Sequence, residues 1–205
     1  VASLLVGGAR VEQNHTLTFV YYDPDFLQIR SLSPTGGPRD GNTEVVLEML
    51  DNRLLLDLGG LLCRFTFDVT LTHGGTPSTA SMMVNASIES NMYGERRTIR
   101  CYTPASPLMT VSSRIGVVEA ALDITLNGID FSGEPARFEY YSPHTFAHHA
   151  ILPWGGPAHG GTVVHVIGTG LRALGEARCR FEDIGRLNMR IEVRATVVNE
   201  THALC

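Results

Sequence analysis

The chain has 205 residues, 43% hydrophobic and 18% charged, which is enough apolar material for one or two packed domains. A net charge of −5 argues against a nucleic-acid partner, and all sixteen cations are arginine, so lysine-based Schiff-base and P-loop chemistry are excluded. No run of about 18 apolar residues occurs, so no membrane-spanning helix is expected.

In chain order, residues 1–26 hold ASLLVGG, a turn-rich QNHT and the run LTFVYYDP. That last run alternates and is aromatic and β-branched, as a half-buried strand should be. LQIRSLSPT (27–35) leads into a Gly-Gly-Pro turn at Gly36. TEVVLEML (43–50) reads as a strand, and LLLDLGGLLCRFTF (54–67) as a pair of short strands with their corner at Gly59-Gly60. Residues 71–81, LTHGGTPSTAS, read as loop. MMVNASI (82–88) and RTIRCYTP (97–104) read as strands, the second stopped by its proline. SPLMTVSSRIG (106–116) is a connection before a closing hairpin, VVEAALDITLNG and ARFEYYSP, within 117–143. Then PWGGPAHGG (153–161) turns into TVVHVIG, ARCRF and NMRIEVRATVVNETHALC. No stretch keeps a 3.6-residue period, so the expected class is all-β.

The chain repeats itself. GGPRDGNTEVVLEMLDNRLLLDLGGLLCRF from Gly36 returns as GGPAHGGTVVHVIGTGLRALGEARCRF from Gly155, 119 residues later, and Tyr21-Tyr22 returns as Tyr140-Tyr141 at the same interval. A period of this kind marks copies of one supersecondary unit.

The order GG-x3-G-x-T-x-V, Cys-x-Phe, Cys before Thr-Pro and a final Phe-x-Tyr-Tyr resembles the IPT/TIG family of immunoglobulin-like modules. It rests on Gly36, Gly37, Gly41, Thr43, Val45, Cys63, Phe65, Cys101, Thr103, Pro104, Phe138 and Tyr140. The second copy supplies Gly155, Gly156, Gly160, Thr162, Val164, Cys179, Phe181 and Cys205. The resemblance implies tandem β-sandwiches, with Cys63 bridged to Cys101 and Cys179 to Cys205. Spacing alone leaves three connectivities open, and the equal placing of each pair in its unit favours these two.

On that reading residues 27–141 are a complete module, 142–205 the opening part of a second, and 1–26 the closing hairpin of a module without its beginning. The two ends are complementary. A sandwich without its last strands exposes an apolar face and an edge that recruits another strand, and a lone hairpin is marginal in water. Head-to-tail completion, with Leu17, Phe19, Tyr21 and Tyr22 as assembly strands, gives a contact that does not close and hence a filament. The expected function is a structural subunit of an extracellular glycoprotein fibre or cell-surface coat whose partner is itself. The alternative is an excerpt of a tandem-repeat receptor or adhesin ectodomain that binds protein. A DNA-binding module of the same family fits the acidic balance poorly. The chain starts without Met and without a basic-flanked leader, and reads as a mature product or an excerpt.

Three sequons, at Asn14, Asn85 and Asn199, are candidate N-glycosylation sites, with the last two expected at equivalent places on one face. Together with evenly placed cysteines they favour an oxidising, extracellular setting. Pro/Ser/Thr clusters at 76–81 and 103–107 are candidate carriers of O-linked sugar. His144, His148, His149, His159 and His165 crowd one region, but their spacing and Pro/Gly-rich context read as a solvated linker rather than a metal site. Asp23-Pro24-Asp25 offers too few carboxylates for calcium. Trp154, the single tryptophan, is expected to pack at the start of its module. No catalytic motif is present, so neither an enzyme nor a cofactor is expected.

Overall fold

The computed structural model describes residues 5–6, 9–10, 18–51, 55–68, 78–90, 97–107, 117–182 and 190–205. The strands are β1 (Leu5–Val6), β2 (Ala9–Arg10), β3 (Ile29–Ser33), β4 (Gly36–Pro38), β5 (Glu44–Met49), β6 (Leu62–Asp68), β7 (Thr79–Ser90), β8 (Arg97–Tyr102), β9 (Val117–Thr125) and β10 (Ala136–Tyr141). There follow β11 (Ala147–Leu152), β12 (His165–Thr169), β13 (Arg178–Glu182), β14 (Arg190–Arg194), β15 (Thr196–Asn199) and β16 (His202–Leu204). Two short 3-10 turns, Pro24–Phe26 and Pro143–Thr145, are the helical segments among the described residues. The class is all-β.

Eight strands form one continuous sheet in the order β3-β5-β8-β7-β6-β9-β10-β4. The first and last strands in that order are consecutive in the chain, separated by Pro34 and Thr35, so the sheet folds back on itself around a core. Strand β7 turns the corner. Its residues 79–85 pair with β6 and its residues 86–90 with β8, which carries one sheet into two facing halves. Strand β4 lies parallel to β10, with Gly36 opposite Glu139 and Tyr140 opposite Gly37.

Alternation decides which side chains go in. Val45, Leu47 and Met49 of β5, Cys63, Phe65 and Phe67 of β6, and Leu122 and Ile124 of β9 are buried every second residue. Phe138 and Tyr140 of β10 close the core from its far edge. Phe138 stands edge-on to Phe65 with ring centroids 6.0 Å apart, and to Tyr140 at 4.9 Å, while Tyr140 lies 5.3 Å from Phe67. The Tyr140 hydroxyl donates to the Pro104 carbonyl at 3.1 Å, and burial pushes its phenol well above the ordinary tyrosine range. Cys63 on β6 and Cys101 on β8 form a disulfide across this core, their Cα atoms 6.6 Å apart. A crosslink over 38 residues of sequence adds roughly 3–4 kcal/mol through the unfolded state.

The turn after β4 needs its glycine. Gly41 has φ +78°, and a Cβ there would come within 2.6 Å of the backbone of Pro104 and Ala105. Gly160, its counterpart 119 residues on, has φ +81°.

Four expectations about local structure are corrected. Thr79, Ala80 and Ser81 are not loop but the start of β7, paired with Asp68, Phe67 and Thr66, because β6 needs a partner along its whole length. LLLDLGGLLCRFTF is not two strands: only Leu62–Asp68 is extended, and Leu55 to Leu61 run irregularly with Leu55 and Leu61 buried. There the backbone is satisfied by other means, with Arg97 donating to the Leu55 carbonyl at 2.8 Å and Gly60 bridging Asn127. Thr18 to Tyr22 do not form a strand, since they have no ladder to join among the described residues. Ala147–Leu152, expected as linker, is a strand, β11, paired antiparallel with β12. The expected loop 106–116 lies mostly outside the described residues.

Candidate assembly site

Strands β11 to β16 rebuild the first part of the eight-stranded sheet and then stop. The order β11-β12-β16-β15 matches β3-β5-β8 and the second half of β7. The pair β13-β14 matches β6 and the first half of β7, with Ala195 separating β14 from β15 where β7 runs on unbroken. Cys179 of β13 is bridged to Cys205, Cα atoms 5.9 Å apart, as Cys63 is to Cys101. Cys205 also exchanges two backbone hydrogen bonds with Val164, at 2.9 and 3.0 Å. A Cβ on Gly156 would strike the Thr162 hydroxyl, just as one on Gly37 would strike that of Thr43. The counterparts of β9 and β10 are what differ. Strand β6 pairs with β9 on its second edge, whereas β13 pairs with β14 alone among the described residues.

The unpaired edge opens onto an apolar groove of about 630 Å³. Ile151, Trp154, Val164, Phe181, Ile191 and Val193 line it, and no lining residue comes from before Ile151. Burial shows what is missing. Phe65 is 0% exposed and its counterpart Phe181 44%; Ile191, beside it on β14, is 57% exposed. The same contrast holds for the covering residues. Phe138 and Tyr140 are each 0% exposed, while Phe19 and Tyr21, their counterparts 119 residues earlier, are 61% and 90% exposed. Contiguous apolar surface rimmed by polar groups marks a binding face, unlike apolar residues scattered singly.

The outer face of β13 and β14 is charged. Arg178 and Arg194 both reach Glu176, at 3.1 and 2.9 Å; Arg180 meets Glu192 at 3.2 Å and Arg190 meets Glu182 at 3.1 Å. Arg178 first, then Arg194, holds the Glu176 carboxyl below the usual glutamate range. These pairs are solvated and add little stability. They do fix the polarity of the hairpin, which presents one apolar side and one that a strand partner's core will not accept.

Of the residues singled out in the sequence, the structure brings the cysteines together as Cys63–Cys101 and Cys179–Cys205. Leu17 and Asn14 lie outside the described residues. Phe19 and Tyr21 meet each other, ring centroids 4.8 Å apart, but not the groove. Tyr22 packs against the core of the closed sheet, on its own side of the molecule. Asn85 points outward from the middle of β7, opposite Leu62. Asn199 instead is the last residue of β15, paired with His202 of β16, which matches the end of β7 rather than its middle, so the two sequons are not at equivalent places. Asp23 caps the 3-10 turn, accepting from the Asp25 amide at 3.0 Å. His148 and His149 ride on β11 rather than on a linker, and His165 Nδ1 meets His202 Nε2 at 2.9 Å. No cluster of three or more metal-binding side chains exists among the described residues. Trp154, expected to pack, is 86% exposed. Among the described residues nothing covers the corner it occupies.

No family model matches the sequence, and no curated protein matches it. Among solved structures the chain is similar to the plexin A4 full extracellular region, domains 1 to 10, at 18% identity and a TM-score of 0.47. That match covers 87% of this chain and 12% of that one. A second structure of the same region, with domains 1 to 8, matches at 19% identity and a TM-score of 0.39, over 87% of this chain and 15% of that one. The chain therefore spans a small fraction of the extracellular region it matches. Among the described residues no helix is long and apolar enough to cross a membrane.

Proposed function

We propose that this chain is a structural subunit of an extracellular glycoprotein fibre or coat, joined in line by strand complementation. Residues 1–26 of one copy supply the closing hairpin that β11–β16 of another lack. The observation that carries the reading is the paired exposure of Phe181 and of Phe19 and Tyr21, when the same motif inside the closed sheet is wholly buried. The closed sheet also supplies the register. Gly36 opposite Glu139 and Gly37 opposite Tyr140 translate to Gly155 opposite Val20 and Gly156 opposite Tyr21 of the incoming copy. Residues 27–141 are then an intact IPT/TIG-type module and 142–205 with 1–26 a module shared between copies.

Magnitudes support a durable joint. Burying a Phe, Tyr or Ile side chain contributes about 1.5–3 kcal/mol, and Phe19, Tyr21, Phe181 and Ile191 are all available. Association costs roughly 4–15 kcal/mol, so side-chain burial alone roughly offsets it, and the new backbone ladder along β13 supplies the surplus. Two disulfides favour an oxidising compartment.

The test is to image the purified chain by negative-stain microscopy and size it without boiling or reductant. Fibres or ladders of integral multiples support the reading. A monodisperse monomer with the groove open overturns it, and leaves a segment whose neighbours are supplied covalently in a receptor or adhesin ectodomain.

Sugar is part of this proposal. The Asn199 carboxamide oxygen accepts from both the amide and the hydroxyl of Thr201, each at 2.9 Å, on an exposed turn. This places the sequon hydroxyl against the acceptor side chain. Secreted protein should lose one glycan mass on Thr201→Ala and a second on Ser87→Ala, read by intact mass spectrometry. Unchanged masses would remove Asn199 and Asn85 as glycan sites.

A further inference from the structure

The joint between the closed sheet and the strands that follow it is built in detail. The Thr35 amide donates to the Leu174 carbonyl at 2.9 Å, and Leu174 lies over Gly36, where a Cβ would come within 3.0 Å of its Cδ1. Arg172 reaches Glu139 at 3.3 Å, and Tyr141 meets Phe146 edge-on at 4.8 Å. A loop of one unit thus sits on the Pro34–Gly36 corner of the unit before it.

Both halves of that joint occur again, on opposite partners. The corner returns 119 residues later as Pro153-Trp154-Gly155, and the Arg-x-Leu of the loop occurs 119 residues earlier with Leu55 in the place of Leu174. The Pro143–Thr145 turn likewise has its counterpart in Pro24–Phe26. The second corner is open, whereas in the second loop Leu55 is buried in its own core with its carbonyl accepting from Arg97, which leaves Leu56 facing outward. Trp154 is 86% exposed, and Leu56, beside Leu55, is 45% exposed. The loop is also fixed relative to the assembly strand, since Tyr22, Phe26 and Leu55 line one small hollow. A strand that enters the groove beside Gly155 therefore carries the 55–58 loop with it to the same corner.

We infer that Trp154 is the seat of a second contact between copies, covered by Leu56–Leu58 of the copy whose strand fills the groove. The inference rests on the strand-complementation reading, and it adds a partner surface outside the groove: an apolar loop of the same chain, set on an indole. The two contacts together fix the angle between successive units as well as their connection.

Trp154 is the sole tryptophan, so intrinsic fluorescence reads this corner alone. Full-length chain would be compared with a Phe19→Ala/Tyr21→Ala chain as the unjoined reference and with a Leu56→Glu chain, all checked for assembly by sizing and microscopy. Joined wild-type chain should emit to the blue of the reference and resist acrylamide several-fold better. Leu56→Glu, a change at an exposed position, should still join but leave the indole quenchable. Wild-type fibres whose tryptophan is as quenchable as the reference overturn the inference alone, as do Leu56→Glu fibres in which it stays fully shielded. Wild-type chain that never joins overturns the complementation reading, and this inference with it.

Discussion

Replacing both Phe19 and Tyr21 with alanine is expected to abolish end-to-end joining while leaving the closed sheet of residues 27–141 folded. Their counterparts show what the two rings do when seated. Phe138 and Tyr140 close the core over Phe65 and Phe67, and truncating a core aromatic costs about 3–5 kcal/mol. Losing two such contacts from one interface amounts to roughly ten-thousand- to ten-million-fold in affinity, at a tenfold change per 1.4 kcal/mol. In the free chain the same residues are largely exposed, so their removal costs the monomer little. Size-exclusion and micrographs report the first effect and a thermal melt the second. Fibres that persist in the double variant would show that the joint lies elsewhere.

The second large effect is a contrast between two copies of one motif. Phe65→Ala should lower the stability of the unjoined chain by about 3–5 kcal/mol, because it empties a fully enclosed site beneath Phe138 and Tyr140. Phe181→Ala, the same change at the matching position, should hardly move the melting of the unjoined chain. Its ring is already half in water, and little burial is lost. In the joined state the order reverses, and Phe181→Ala should dissociate fibres at far lower denaturant. Equal destabilisation of the unjoined chain by both changes would mean that the groove is closed within the chain.

Much of the fold was legible because alternation is a local signal. TEVVLEML and LCRFTFD became β5 and β6. The repeat carried the rest, since Cys-Arg-Phe and Phe-x-Tyr-Tyr fall at fixed intervals. What failed depended on partners that sequence does not display. Thr79 to Ser81 look like loop until β6 requires their ladder. Leu55 to Leu61 look like strand, but Leu55 and Leu61 are buried from an irregular backbone held by Arg97 and Asn127. His148 and His149 were misread through their Pro/Gly surroundings, although counting 119 residues back to β3 would have placed them on an edge strand. Thr18 to Tyr22 have the pattern of a strand and no partner among the described residues. At the assembly site the pairing of exposed surfaces required coordinates, because exposure cannot be read from composition.

The Cys179–Cys205 bridge and the two backbone hydrogen bonds between Cys205 and Val164 have a kinetic consequence for the proposed joint. They hold the floor of the groove rigid before anything lands on it, whereas the strand that lands is irregular beforehand. Ordering entropy on docking therefore falls on the guest and hardly on the host. If copies join as proposed, docking is expected to begin slowly, because the irregular residues 18–22 must first straighten.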